Sequence, residues 1–170
     1  RARDVRPTTT LDPETGECDP HVSYSYGSEV ALVEVDVETG ETEVLQLWAA
    51  INGGRVINPD TFFGQVAGGV QMGVGYALTE EYVQERGQAR SRRFSEYFMP
   101  TVLDMPRELI SVAVELEDPE GPYGAKGMGE TPTVPTAPAI LNAIYDATGV
   151  RLNRLPATSE RVWRALREAI

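Results

Sequence analysis

Residues 121–130 read Gly-Pro-Tyr-Gly-Ala-Lys-Gly-Met-Gly-Glu, four glycines in ten positions ending on an acid. Glycine loses more chain entropy on folding than any other residue, so such a cluster marks backbone that must adopt left-handed angles or pass close to another body. Glu130 closes the loop. An acid held at the end of a shaped, partly desolvated stretch of main chain is where a carboxylate tuned for proton transfer is expected. The same residues also read as a plain surface loop with a solvated glutamate. A phosphate loop fits poorly, because Lys126 is followed by Gly127 where the Walker pattern requires Ser or Thr. A dinucleotide turn needs its acid well downstream, and here the acid lies within the loop.

A second glycine-laden stretch precedes it. Asn58-Pro59 is a helix start, asparagine capping and proline at the first helical position, and no further proline occurs up to Glu81. Gly64, Gly68, Gly69, Gly73 and Gly75 would each cost such a helix about 1 kcal/mol against alanine. Close approach of the helix backbone to a second surface would offset that cost, with Gln65 on the same stretch offering an amide that donates and accepts. Packing against a neighbouring element through small residues is the other reading.

Around these two stretches the pattern is mixed. Ala31, Val33 and Val35 alternate with Leu32, Glu34 and Asp36. Glu38-Thr39-Gly40 makes a turn, and Glu43, Leu45 and Leu47 then alternate with Val44, Gln46 and Trp48, which predicts a hairpin. Residues 84–88 read as a turn, residues 90–94 as a strand, and Ile110, Val112 and Val114 as a strand leading into the glycine-rich loop. Pro132, Pro135 and Pro138 are expected to delay the next helix until Thr136 caps it, with Ile140, Leu141, Ile144 and Ala147 on one face and Gly149 as the stop. A last helix is expected from Thr158 or Ser159, with Val162, Trp163, Leu166 and Ile170 as its apolar stripe. Strands and amphipathic helices without a regular βαβ repeat predict an α+β fold, a mixed sheet with packed helices. Residues 1–27, rich in Pro, Thr, Gly and charge, are expected as an extended or disordered arm ahead of a folded segment over residues 28–170.

Composition narrows the function. Lys plus Arg is 15 against Asp plus Glu 26, a formal charge of −11, so the electrostatic footprint of a nucleic-acid binder is absent. No apolar run approaches the ~20 residues of a membrane span and no signal-peptide pattern opens the chain, so a soluble, cytoplasmic protein is expected. Cys18 is the only cysteine and His21 the only histidine. Neither a cluster needing about four thiolates nor a histidine-rich metal site can be built here, and no chemical role is expected for either residue.

Two ordered blocks carry a family resemblance. Gly-Ala-Lys-Gly-Met-Gly-Glu-Thr-Pro over residues 124–132, followed by Ala-Pro-Ala-Ile-Leu-Asn-Ala-Ile-Tyr-Asp-Ala-Thr-Gly over residues 137–149, resembles the C-terminal part of the molybdenum subunit of the xanthine dehydrogenase and aldehyde oxidase family. Residues 53–81, from Gly-Gly-Arg-Val-Ile-Asn-Pro to Ala-Leu-Thr-Glu-Glu, resemble the same subunit upstream, in the same order. The family carries an aspartate near the position of Asn52. The resemblance implies a C-terminal lobe of a molybdopterin-binding domain, within an enzyme that oxidises an N-heterocycle or aldehyde using water as the oxygen source. By position it implies Glu130 as the catalytic base, Gln65 as a hydrogen-bond partner of the pterin, and Gly68, Gly69, Gly127 and Gly129 as backbone that admits the cofactor, with no protein ligand to the metal. The implied partners are the rest of the molybdenum subunit and iron-sulfur and flavin subunits or domains carrying [2Fe-2S] and FAD. A non-catalytic assembly module of a larger complex is the alternative.

Overall fold

The computed structural model describes residues 8–169. Its elements run β1 (Tyr26–Val35), β2 (Thr42–Asn52), α1 (Pro59–Leu78), the short pair β3 (Gln84–Glu85) and β4 (Gln88–Ala89), β5 (Glu108–Ala113), α2 (Thr133–Thr148) and α3 (Ser159–Glu168). β1 pairs antiparallel with β2, and β2 pairs parallel with β5, giving a mixed sheet ordered β1-β2-β5. The fold is α+β, as the element pattern predicts.

The β1–β2 hairpin turns where expected. Asp36 Oδ1 accepts from the Glu38 and Thr39 amides at 2.7 and 3.2 Å, and Gly40 takes φ 75°. A β-carbon at Gly40 would lie 2.1 Å from the Ser159 carbonyl oxygen, so the first turn of α3 is seated directly on this loop. One face of the hairpin carries the core: Ala31, Val33 and Val35 from β1, and the buried Leu47, Ala49 and Ile51 from β2. The pairing runs Leu32 to Gln46 and then Val33 to Val44, so Leu45 is bulged out and both Val44 and Leu47 end up buried. The simple alternation expected for residues 43–48 fails for that reason. The opposite face is open, with Val30, Trp48 and Ile110 in one row across the three strands.

α1 starts on the predicted cap, the Asn58 side chain accepting from the Thr61 amide at 3.2 Å with Pro59 behind it. Its Phe62, Val66, Val70, Val74 and Ala77 are buried against β2 and α2. α2 corrects one expectation: the helix begins at Thr133, not at a Thr136 cap. Pro135 lies in the first turn, where no amide proton is needed. Thr136 is wholly buried inside the helix, its hydroxyl donating to the Pro132 carbonyl at 2.9 Å. The predicted stop holds, with Gly149 at φ 74° and its amide donating to Tyr145 O at 2.7 Å.

The strand predicted over residues 90–94 is absent. Gln84 pairs with Ala89 and Glu85 with Gln88 around Arg86 and Gly87, both at positive φ (50° and 78°), the geometry of a two-residue hairpin turn. The strand β4 ends at Ala89, and the Arg90 amide makes a last cross-hairpin bond to Val83 O at 2.8 Å. α3 starts as expected, Thr158 accepting from the Arg161 amide at 3.4 Å, and buries Val162, while Ile170 lies outside the described residues. Thr158→Ala should lower stability by about 1 kcal/mol, as a lost N-cap does, read as a shift in the urea unfolding midpoint.

Candidate cofactor-facing site

The two sequence blocks meet in space. Gly54, at φ 68°, forms a bridge with Ala125, and a β-carbon there would come within 2.3 Å of the Gly124 carbonyl oxygen. The Arg55 amide donates to Gly124 O at 2.9 Å, and the Lys126 amide to Gly53 O at 2.8 Å. Asn52, 3% exposed, accepts from the Gly54 amide through Oδ1 at 3.0 Å, a bond that an aspartate oxygen would make equally well. The first half of the glycine-rich loop is therefore stapled to the segment between β2 and α1.

Its second half is held by side chains. Gln65 Nε2 donates to the Gly129 carbonyl at 2.5 Å, tying α1 to the residue just before Glu130. The Ser25 hydroxyl donates to the Gly127 carbonyl, and the Thr133 amide donates to Glu130 O at 3.0 Å, leading the chain into α2. Glu130 itself is exposed and not partly desolvated as expected. It stands over a cleft of about 310 Å³ lined by Ser25, Gly27, Thr131, Val134 and Pro135. Glu130 and Gln65 thus belong to one local assembly.

The glycines divide into two sets. Gly69 and Gly73 face α2, where added β-carbons would lie 2.7 Å from Pro132 Cβ and 2.3 Å from Thr136 Cβ, so these two let the helices pack closely. Gly64 and Gly68 lie on the opposite side of α1 with nothing within 4 Å of an added β-carbon. Gly127 and Gly129 are equally bare and have no left-handed φ, while Gly124 at φ 80° and the crowded Gly121 are required by the loop's own turns. Gly68, Gly127 and Gly129 therefore leave main chain uncovered beside Gln65, whereas Gly69 is taken up in the helix contact.

Between the start of α1 and the first half of the loop runs a groove of about 350 Å³, lined among others by Arg55, Asn58, Gln65, Lys126 and Met128. No described residue uses Gln65 Oε1, so the amide retains an acceptor toward it. Cys18 is exposed, His21 packs edge-on against Tyr24, and no metal-binding cluster of His, Cys, Asp or Glu occurs among the described residues. None of the described helices is long and apolar enough to cross a membrane.

Sequence reasoning passed over Glu29. It sits on β1 at a core-facing position with Ala31, Val33 and Val35, and both its carboxyl oxygens are buried without a hydrogen-bond partner. The signal was available: an acid in the inward parity of a strand.

A glycine-lined helix and a glycine-rich loop are thus joined through one amide, with uncovered main chain at Gly64, Gly68, Gly127 and Gly129. The chain belongs to the molybdopterin cofactor-binding domain family, whose model matches residues 2–106. It is 39% identical over 94% of its length to the aldehyde oxidoreductase of Megalodesulfovibrio gigas, spanning 17% of that protein. It is 37% identical over 82% of its length to the xanthine dehydrogenase molybdenum-binding subunit of Escherichia coli, spanning 19% of it. The fold matches the solved structure of aldehyde oxidoreductase from Desulfovibrio gigas with a TM-score of 0.85 and 38% identity, over 94% of this chain and 17% of that one. The chain thus spans about a fifth or less of the relatives it matches.

Proposed function

We propose that this chain is the part of a molybdenum-dependent hydroxylase or dehydrogenase that supplies the catalytic base and one wall of the cofactor site. The observation that carries the reading is the 2.5 Å bond from Gln65 Nε2 to Gly129 O, which sets the glycine-lined helix beside the residue preceding Glu130. The residues present fit a molybdopterin: bare main chain at Gly64, Gly68, Gly127 and Gly129 for close approach, and the Gln65 acceptor for a pterin N–H. When bound, the molybdenum cofactor supplies the oxidising centre. This chain's contribution is to orient the cofactor through Gln65 and to hold a carboxylate, Glu130, that takes up the proton released as an oxygen from water is transferred to an electron-poor carbon of an N-heterocycle or aldehyde. The remaining polypeptide of the molybdenum subunit would cover Glu130 and exclude water from it. Electrons would leave through [2Fe-2S] and FAD groups on other chains or domains.

Gln65→Ala tests the wall. Loss of that hydrogen bond is worth about 1 kcal/mol, so molybdenum and pterin retained by the complete subunit should fall roughly fivefold, measured by metal analysis after purification. Retention equal to wild type would leave Gln65 as a loop fastener only.

A further inference from the structure

The seam between β1 and α2 lies directly beneath the segment that carries Glu130. Ser25 donates to Gly127 O, the Gly27 backbone packs on Thr131, where an added β-carbon would be 3.3 Å from both Thr131 Cγ2 and its carbonyl oxygen, and Glu29 is the next residue of β1 on that face. Glu29 pairs in register with Ala49 and stands beside Thr136. Both its carboxyl oxygens are buried and unpaired, and so is Thr133 Oγ1 on the first turn of α2. The elements packed here offer no charge: β2 brings Ala49 and Ile51, and α2 brings Thr133 and Thr136, backed in turn by Gly69 and Gly73 of α1.

A carboxylate in such a place loses its hydration without compensation, whereas the neutral acid is tolerated. Burial pushes the Glu29 carboxyl up to about 7 from the ordinary 4.5, with the Thr136 hydroxyl taking back part of the rise. The Thr136 proton is already donated to Pro132 O at 2.9 Å, so its oxygen is better placed to accept from a protonated Glu29 than to donate to an ionised one.

We propose that Glu29 is a proton-dependent positioning residue: as the neutral acid it lets β1 close on the first turn of α2 and so fixes the segment presenting Glu130, and as the carboxylate it loosens that seam. The proposal rests on Glu130 being the base, but its primary readouts need no turnover. The sign follows from linkage. The folded chain keeps a proton that the unfolded chain gives up between about 4.5 and about 7, so the stabilising contribution is complete below that window, declines as pH rises through it, and is absent above it.

The test compares wild type with Glu29→Gln in the complete subunit, by hydrogen exchange of residues 127–133, corrected for intrinsic rates, and by the thermal midpoint across the same pH window. Wild type should lose about tenfold or more in protection toward the alkaline side relative to the variant, and the variant should keep its acid-side protection throughout. The alkaline limb of the activity profile should change in the same variant. Parallel exchange and activity curves for the two proteins would overturn the proposal. If Glu29→Gln does not fold, titration of the wild-type Glu29 carboxyl by carbon-13 resonance decides: a midpoint near neutrality supports the proposal and one in the ordinary carboxylate range overturns it. Turnover surviving in Glu130→Gln would remove the base assignment while leaving the exchange result standing.

Discussion

Replacing Glu130 by glutamine in the complete enzyme is expected to lower kcat by about 10² to 10⁴, the usual cost of losing a general base. Glutamine keeps the size and the hydrogen-bonding oxygen of the side chain but cannot take up a proton. Because the Glu130 side chain is exposed and the loop is held through main-chain atoms of Gly127, Gly129 and Glu130, the fold should be indifferent to the change. Thermal midpoint and molybdenum content should therefore match wild type. That separation of chemistry from stability makes the outcome readable: a kcat close to wild type, with cofactor fully loaded, would move the base elsewhere.

The second large effect concerns α1, where two substitutions of the same kind should act in opposite directions. Gly73→Ala places a methyl group 2.3 Å from Thr136 Cβ, in a contact that cannot relax without moving α1 from α2. Overpacking of that severity should cost about 3 kcal/mol even after the gain in helix propensity, a loss that urea unfolding would show plainly. Gly68→Ala meets nothing within 4 Å. It should stabilise the helix by up to about 1 kcal/mol while reducing molybdenum retention, because the added methyl stands on the bare face beside Gln65. If Gly68→Ala leaves cofactor content untouched, that face of α1 does not approach the pterin.

Much of the fold was legible because local chemistry and tertiary structure agree. The Asp36 turn with Gly40, the Asn58-Pro59 start of α1, the Gly149 stop and the Thr158 cap are all short-range devices whose partners lie within a few residues. What misled were features decided by distant packing. The bulge at Leu45 exists because β1 must bury Val33 opposite Val44, and no count along residues 43–48 contains that information. The prolines around the start of α2 suggested delay, yet Pro132 is its N-cap and Pro135 lies in a first turn that has no use for the missing amide proton, so the helix begins at Thr133 and carries Pro138 within it. The site was less accessible. Gln65 and Gly129 are 64 positions apart, and only the resemblance placed them together in advance. The α1 glycines looked alike because which of them faces α2 depends on where α2 sits. Close packing at Gly69 and Gly73 and uncovered main chain at Gly64 and Gly68 occupy opposite sides of one helix.

The parallel pairing of β2 with β5 has a bearing on how the chain is made. Gln46 and Glu108 are bonded across 62 positions, and α3, near the C-terminal end, rests on the β1–β2 loop at Gly40. During synthesis the hairpin and α1 precede β5, α2 and α3, so for that interval the β2 edge lacks its parallel partner and nothing of α3 rests on the loop. Closing contacts of such long sequence separation is slow, and this nascent interval is the one in which a chaperone would be most useful to the chain.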